Sequence, residues 1–122
     1  RSYDLYKDPT VEQLFEIARS IGKDATYQVG NTLELVIDET DMLFIDTCHR
    51  YDQLIQELNL HAGKVRKFIA FHDTHTFGTN DEPPDHNKGL LPAIIEFMIA
   101  HPEWQFELHR IVNNGLTIIK RV

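Results

Sequence analysis

The sequence predicts an α/β domain: an open, mostly parallel sheet with flanking helices, closed at its C-terminal end by an antiparallel hairpin. Three observations predict it. The runs Asp41–Asp46 and Lys67–Phe71 are nearly continuous in apolar residues, the pattern of strands covered on both faces. Strand-like runs alternate with stretches of helical spacing, and the intervals from Asp4 to Gly30 and from Asp46 to Asp73, 26 and 27 positions, each suit one strand–helix–strand crossover. The last two β-rich runs are separated by Asn113-Asn114-Gly115, a hairpin turn signal.

Taken in order, Ser2–Tyr6 is rich in β-formers and is stopped by Lys7-Asp8-Pro9. Thr10-Val11-Glu12-Gln13 reads as a capping box with Thr10 as the cap and Pro9 just outside the helix. Val11, Leu14, Phe15, Ala18 and Ile21 supply a stripe expected to be buried, and Gly22 a left-handed stop. A second strand is expected over Ala25–Val29, turning at Gly30-Asn31, with Leu33–Ile37 as a further short extended piece. Asp41–Asp46 is expected at the centre of the sheet. Tyr51, Leu54, Ile55, Leu58 and Ala62 form the next helical stripe, ended by Gly63, ahead of the strand from Lys67 through Phe71 into His72-Asp73. Residues 74–88 hold Gly78, Asn80, Asp81, Pro83, Pro84 and Asp85 without periodicity and predict a long loop, either a lid over a ligand or plain surface. Gly89–Ala100 reads as a helix with Pro92 in its first turn, and Trp104–Val112 and Leu116–Val122 as the closing hairpin. One domain over 1–122 accommodates all of this.

Composition narrows the function. The chain has 122 residues, with 12 Lys+Arg against 19 Asp+Glu and a net charge of −7. An acidic chain without a basic stripe argues against a nucleic-acid partner. At 42% hydrophobic and 25% charged it is too apolar for a disordered chain. The longest apolar stretch, Leu90–Ala100, is too short for a membrane span and contains Pro92 and Glu96. A single cysteine, Cys48, cannot form an internal disulfide, and no secretory leader is visible, so a reducing cytoplasm is expected. The chain begins at Arg1 with residues that already read as a strand, which suggests a preceding segment.

In open parallel sheets, ligands bind outside the carboxyl ends of the strands. The reading above places Asp4, Gly30-Asn31, Asp46 with His49, and His72-Asp73 at such ends. One acid past a strand is an ordinary turn residue or cap; the set is what points to a ligand. Asp46 and His72-Asp73 end consecutive strands, which a right-handed crossover sets side by side about 4.8 Å apart. Two carboxylates facing one small volume repel unless a cation, a shared proton or a donor intervenes. Mg²⁺ needs only one or two carboxylates, with water and substrate oxygens completing its shell. Other conspicuous residues have simpler readings. Cys48 and His49 are neighbours that point apart at a strand end and do not suit a nucleophile–base pair. His72-x-x-His75 is an ordinary polar loop pair, and His61 and His101 suit helix C-termini. Trp104 and Phe106 suit packing.

The segment Phe44-Ile45-Asp46-Thr47-Cys48-His49, then Tyr51, then the strand into Phe71-His72-Asp73 resembles the class I S-adenosylmethionine-dependent methyltransferases. Within them it looks most like the metal-dependent O-methyltransferase branch that includes cephalosporin-hydroxylase-like and macrolide-sugar methyltransferase proteins. The resemblance runs from Tyr3 to Val122 and includes the terminal hairpin. It implies a Rossmann-like fold in which Asp4 binds the cofactor ribose and Gly30 and Asn31 form the adenine-side turn, with Asp46 also bordering the cofactor. It implies Asp46 and Asp73 as metal ligands, with His72 standing where that branch commonly has an acid, and His49 as general base. The family's first strand and glycine-rich turn have no counterpart here. The resemblance therefore implies the C-terminal portion of a truncated domain, and a homo-oligomer covering the apolar edges left open. The implied activity is transfer of a methyl group from S-adenosylmethionine to a hydroxyl of a small-molecule acceptor, assisted by Mg²⁺. Two other readings stay open: a non-enzymatic, cofactor-less Rossmann-like fragment that oligomerises, and a metal-dependent hydroxylase or hydrolase using the same carboxylates.

Overall fold

The computed structural model describes residues 1–84 and 88–122; residues 85–87 of the expected loop lie outside the described residues. The chain divides into two compact units, Arg1–Val36 and Ile37–Val122.

In the first unit, β1 (Ser2–Asp4) pairs in parallel with β2 (Tyr27–Val29), and α1 (Pro9–Ser20) makes the crossover. The helix cap is Asp8, not Thr10. Asp8 Oδ1 accepts from the backbone N–H groups of Thr10 at 2.7 Å and Val11 at 3.2 Å. Pro9 then occupies the first helical position, where a missing N–H costs nothing. β1 is shorter than expected because the Tyr27 hydroxyl takes the chain beyond it: it donates to the Tyr6 carbonyl at 2.8 Å and accepts from the Asp8 N–H at 3.0 Å. The expected extended piece over Leu33–Ile37 forms no strand, and residues 32–34 make a turn instead. Asn31 Oδ1 accepts from the Leu33 N–H at 3.0 Å, and the Asn31 carbonyl accepts from Glu34 and Leu35, an asparagine turn that outcompetes strand geometry. No residue of α1 is fully buried, and Leu14 and Ile21 are exposed, contrary to the expected stripe. Two strands of three residues are a smaller platform than one helix face.

The second unit contains β3 (Thr40–Ile45), α2 (Tyr51–His61) followed by a 3₁₀ turn (Ala62–Lys64), β4 (Val65–His72), α3 (Leu90–Ala100), β5 (Trp104–Arg110) and β6 (Leu116–Arg121). The strands lie in the order β3-β4-β6-β5; β3 and β4 are parallel, while β4–β6 and β5–β6 are antiparallel. The described sheets are thus mixed rather than mostly parallel. The expected closing hairpin is present. Asn113, Asn114 and Gly115 all have positive φ, and a Cβ on Gly115, at φ +105°, would run into the backbone of His75. Gly63 lies inside the 3₁₀ turn and is not a left-handed stop.

β3 is an edge strand, not the central one. Met42 and Phe44 are 49% and 54% exposed, and among the described residues β3 pairs only with β4. The core is built on β4 and β6, where Ile69, Phe71 and Ile119 meet Leu54 and Leu58 of α2 and Ala93, Ile94 and Phe97 of α3, all buried. Each such large apolar side chain contributes about 1.5–3 kcal/mol on burial, which fixes α2 and α3 against the sheet and with them the strand ends. Among the described residues no helix is long and apolar enough to cross a membrane.

Candidate functional site

The parallel register pairs Ile45 with Phe71, so Asp46 on one chain segment and His72-Asp73 on the other leave the sheet side by side. Asp73 takes φ +57°, a left-handed turn that short polar side chains tolerate. Four side chains gather at this strand end. His49 Nε2 lies 2.8 Å from Asp73 Oδ2 and 3.9 Å from Asp46 Oδ1, and His72 Nδ1 lies 3.2 Å and 3.6 Å from the same two oxygens. Asp73 is almost fully buried, whereas the Asp46 side chain is 45% exposed. Asp46, His49 and Asp73 each offer one donor atom within 4.8 Å of the others, a spacing compatible with one shared cation.

The loop after β4 holds His49 in place. Its Nδ1 is 3.0 Å from Glu82 Oε2, and Phe77 stacks on the ring with centroids 4.5 Å apart and planes within 7°. Glu82 also donates its backbone N–H to the His49 carbonyl at 3.0 Å and accepts from the Cys48 thiol at 3.2 Å. These contacts hold the Glu82 carboxyl below its usual range, the Cys48 thiol first and His49 after it. Partial burial and the same carboxylate push the Cys48 thiol up to about 12. It stays protonated at neutral pH and is no nucleophile, in line with the sequence reading.

The loop itself is anchored. Asp81, buried, accepts from the N–H groups of Tyr51 at 2.8 Å and Gly89 at 2.9 Å, tying together the starts of α2 and α3. The carbonyls of Phe77 and Gly78 accept from Leu90 and Leu91 in the first turn of α3. At the near end, His75 and Thr76 donate to the Asn114 carbonyl of the β5–β6 turn, and the buried Thr117 hydroxyl donates to Thr74 Oγ1 at 2.8 Å. On the other flank, Thr47 donates to the buried Glu57 carboxylate at 2.8 Å, and Gln53 donates to the other Glu57 oxygen. The sequence did not single out Phe77, Asp81 and Glu82 as site residues. The one signal for them was the length of an aperiodic loop.

His49 Nε2 is buried and lacks a hydrogen-bond partner, although Asp73 Oδ2 is 2.8 Å away; the approach is too oblique for an N–H···O bond. A buried nitrogen beside two carboxylates, with no proton shared between them, is a donor set that fits a divalent cation. The pocket at this strand end, lined by Asp46, Cys48, His49, Leu54, Phe71 and His72, encloses about 220 Å³ including space open to solvent. It has room for little more than one ion or one water molecule.

The first unit brings together the other expected residues. Asp4 ends β1 and Gly30 follows β2, and the Gly30 N–H donates to the Asp4 carbonyl at 2.8 Å. The Asp4 carboxylate is exposed, which suits a hydroxyl-bearing ligand. The Asn31 side chain is engaged locally: its Oδ1 accepts from Leu33 and its Nδ2 donates to Glu34 at 3.0 Å. Asp4, Gly30 and Asn31 therefore share one unit, and Asp46, His49, His72 and Asp73 share the other.

No family model matches the sequence, and no curated protein matches it. Among solved structures, the chain is similar to the PH0226 protein from Pyrococcus horikoshii OT3, with a TM-score of 0.54 and 14% identity over 98% of this chain and 70% of that one. It is also similar to the SAH-bound methyltransferase PaMTH1 from Podospora anserina, with a TM-score of 0.52 and 17% identity over 98% of this chain and 60% of that one. The chain thus spans less than two thirds of the length of PaMTH1. What these likenesses show is the fold: a Rossmann-like α/β arrangement that a methyltransferase also adopts.

Proposed function

We propose that this chain works as part of an S-adenosylmethionine-dependent methyltransferase that acts on a hydroxyl of a small molecule with the help of a divalent cation. The observation that supports it best is the meeting of Asp46, His49 and Asp73 at the carboxyl ends of two parallel strands, in a fold shared with a methyltransferase bound to SAH. S-adenosylmethionine would supply the electrophilic methyl group and leave as S-adenosylhomocysteine, and a divalent cation held by Asp46, His49 and Asp73 would lower the pKa of an acceptor hydroxyl, whose proton would pass to solvent beside the exposed Asp46. The chain's own residues do the remaining work. Asp73, buried, and Asp46, open to solvent, present their oxygens to His49 Nε2. Asp46 is the more accessible of the two, so the acceptor hydroxyl approaches there. Phe77 keeps water from one face of His49 and fixes its ring. Asp4, at the end of β1, is the carboxylate suited to the ribose hydroxyls.

Isothermal titration with S-adenosylhomocysteine tests the cofactor half of this reading. The folded chain is expected to bind in the micromolar range, and Asp4→Asn to weaken binding roughly tenfold by removing one charge-assisted hydrogen bond. A folded chain that takes up no S-adenosylhomocysteine at millimolar concentration removes cofactor binding from this chain and marks it as a methyltransferase-like fragment.

A further inference from the structure

We infer that His49 serves the site as a nitrogen ligand through Nε2, with Glu82 as its positioning residue, and that the cation taken is a transition-metal dication of the Mn²⁺, Fe²⁺, Co²⁺ or Zn²⁺ class in preference to Mg²⁺. This rests on the cation-binding part of the function proposed above. It replaces the general-base role that the resemblance assigns to His49.

Access is the first argument. A base must come within hydrogen-bond reach of the substrate proton. His49 Nε2 is buried, and it faces Asp73 and Asp46 rather than the solvent from which an acceptor arrives. A cation set between the three donors would lie against it.

The tautomer is the second. The Glu82 carboxylate can only accept, so the ring proton of a neutral His49 sits on Nδ1, 3.0 Å from Glu82 Oε2. That leaves the lone pair on Nε2, oblique to Asp73 Oδ2 and open to an ion set between the donors. A carboxylate on the far nitrogen is the arrangement that orients metal-binding histidines. Phe77 removes the remaining freedom of the ring. His72 differs. Its Nε2 lies 3.5 Å from Asn113 Nδ2, an amide donor, so a neutral His72 carries its proton on Nδ1 and turns it toward the carboxylates. Of the two histidines, His49 is the one that presents a lone pair.

Spacing is the third. Ligands at about 2.1 Å from one ion lie about 3.0 Å apart when at right angles and about 4.2 Å apart when opposite. The Nε2 distances of 2.8 Å and 3.9 Å to the two carboxylate oxygens fall close to that range. An imidazole in the set favours borderline transition metals, whereas Mg²⁺ prefers oxygen alone.

The test is titration of the folded chain with Co²⁺, Mn²⁺ and Mg²⁺ separately, followed by calorimetry and, for Co²⁺, by visible absorption. Co²⁺ and Mn²⁺ are expected to bind at least tenfold more tightly than Mg²⁺, and His49→Gln to abolish that preference and shift the Co²⁺ spectrum. Glu82→Ala is expected to weaken Co²⁺ binding roughly 10–100-fold. Glu82→Gln, whose amide oxygen accepts the same N–H, is expected to restore part of it; circular dichroism confirms that each variant is folded. If the ions bind through Asp46 and Asp73 but are indifferent to His49→Gln, the ligand role is overturned while a carboxylate cation site survives. If the chain binds no dication at all, both the ligand role and cation assistance fall, and the cofactor reading is still judged separately by S-adenosylhomocysteine.

Discussion

Cys48 and Glu82 show how one contact sets the chemistry of two side chains. Partial burial first, and the hydrogen bond from Cys48 Sγ to Glu82 Oε1 after it, push the thiol up to about 12, and the same bond holds the carboxyl down. An ordinary thiol titrates near 8.5, so between there and about 12 the folded chain keeps a proton that the unfolded chain releases. Holding the thiol protonated therefore leaves the fold at its most stable below the ordinary thiol range, and that stability is lost progressively as pH rises from about 8.5 to about 12. Iodoacetamide should accordingly modify Cys48 of the native chain at pH 8.5 at least roughly a hundredfold more slowly than in urea, and Glu82→Gln should narrow the gap. Equal native and denatured rates would show that the thiol is not held. At this scale the sequence is uneven in what it reveals. Asp46 and Asp73 stand out because each closes an apolar run, and the structure brings them together. Glu82 follows no period, and only the path of the loop carries it back to His49.

At the scale of elements, Asp81 has the largest effect for its size. Its Oδ1 accepts from the N–H groups of Tyr51 and Gly89, the first residue of α2 and the residue before α3. Asp81→Ala leaves two donors without a partner, each costing about 1–3 kcal/mol where buried. Unfolding monitored by circular dichroism should show a melting temperature lower by roughly 10 °C. A change of only a degree or two would mean that the loop carbonyls of Phe77 and Gly78 hold α3 unaided. The start of α1 was legible but misassigned: Asp8, Pro9 and Thr10 all carry helix-start signals, and proline's fit to the first helical position decides for Asp8. β3 was recognised as a strand but not as an edge, because an apolar run records what a strand can bury and not which neighbours it has.

At the scale of the whole chain, the α/β class and the closing hairpin were legible from periodicity and turn chemistry, while the split into sheets of two and four strands depends on pairings distant in sequence. Among the described residues β3 pairs on one side only, with Met42 and Phe44 exposed, which predicts self-association. Sedimentation velocity should show mass increasing with concentration, and Phe44→Lys should restore the monomer; a wild-type monomer throughout the micromolar range would contradict this. The anchoring of the loop to the last hairpin also bears on how the chain comes to life. His75 and Thr76 are bound by Asn114, and Thr74 by Thr117, yet these partners are made some forty positions later. During synthesis, then, Asp46, His49 and Asp73 leave the ribosome well before the residues that steady the loop beside them, and a nascent chain halted short of Asn114 would display the donor atoms without the frame that aims them.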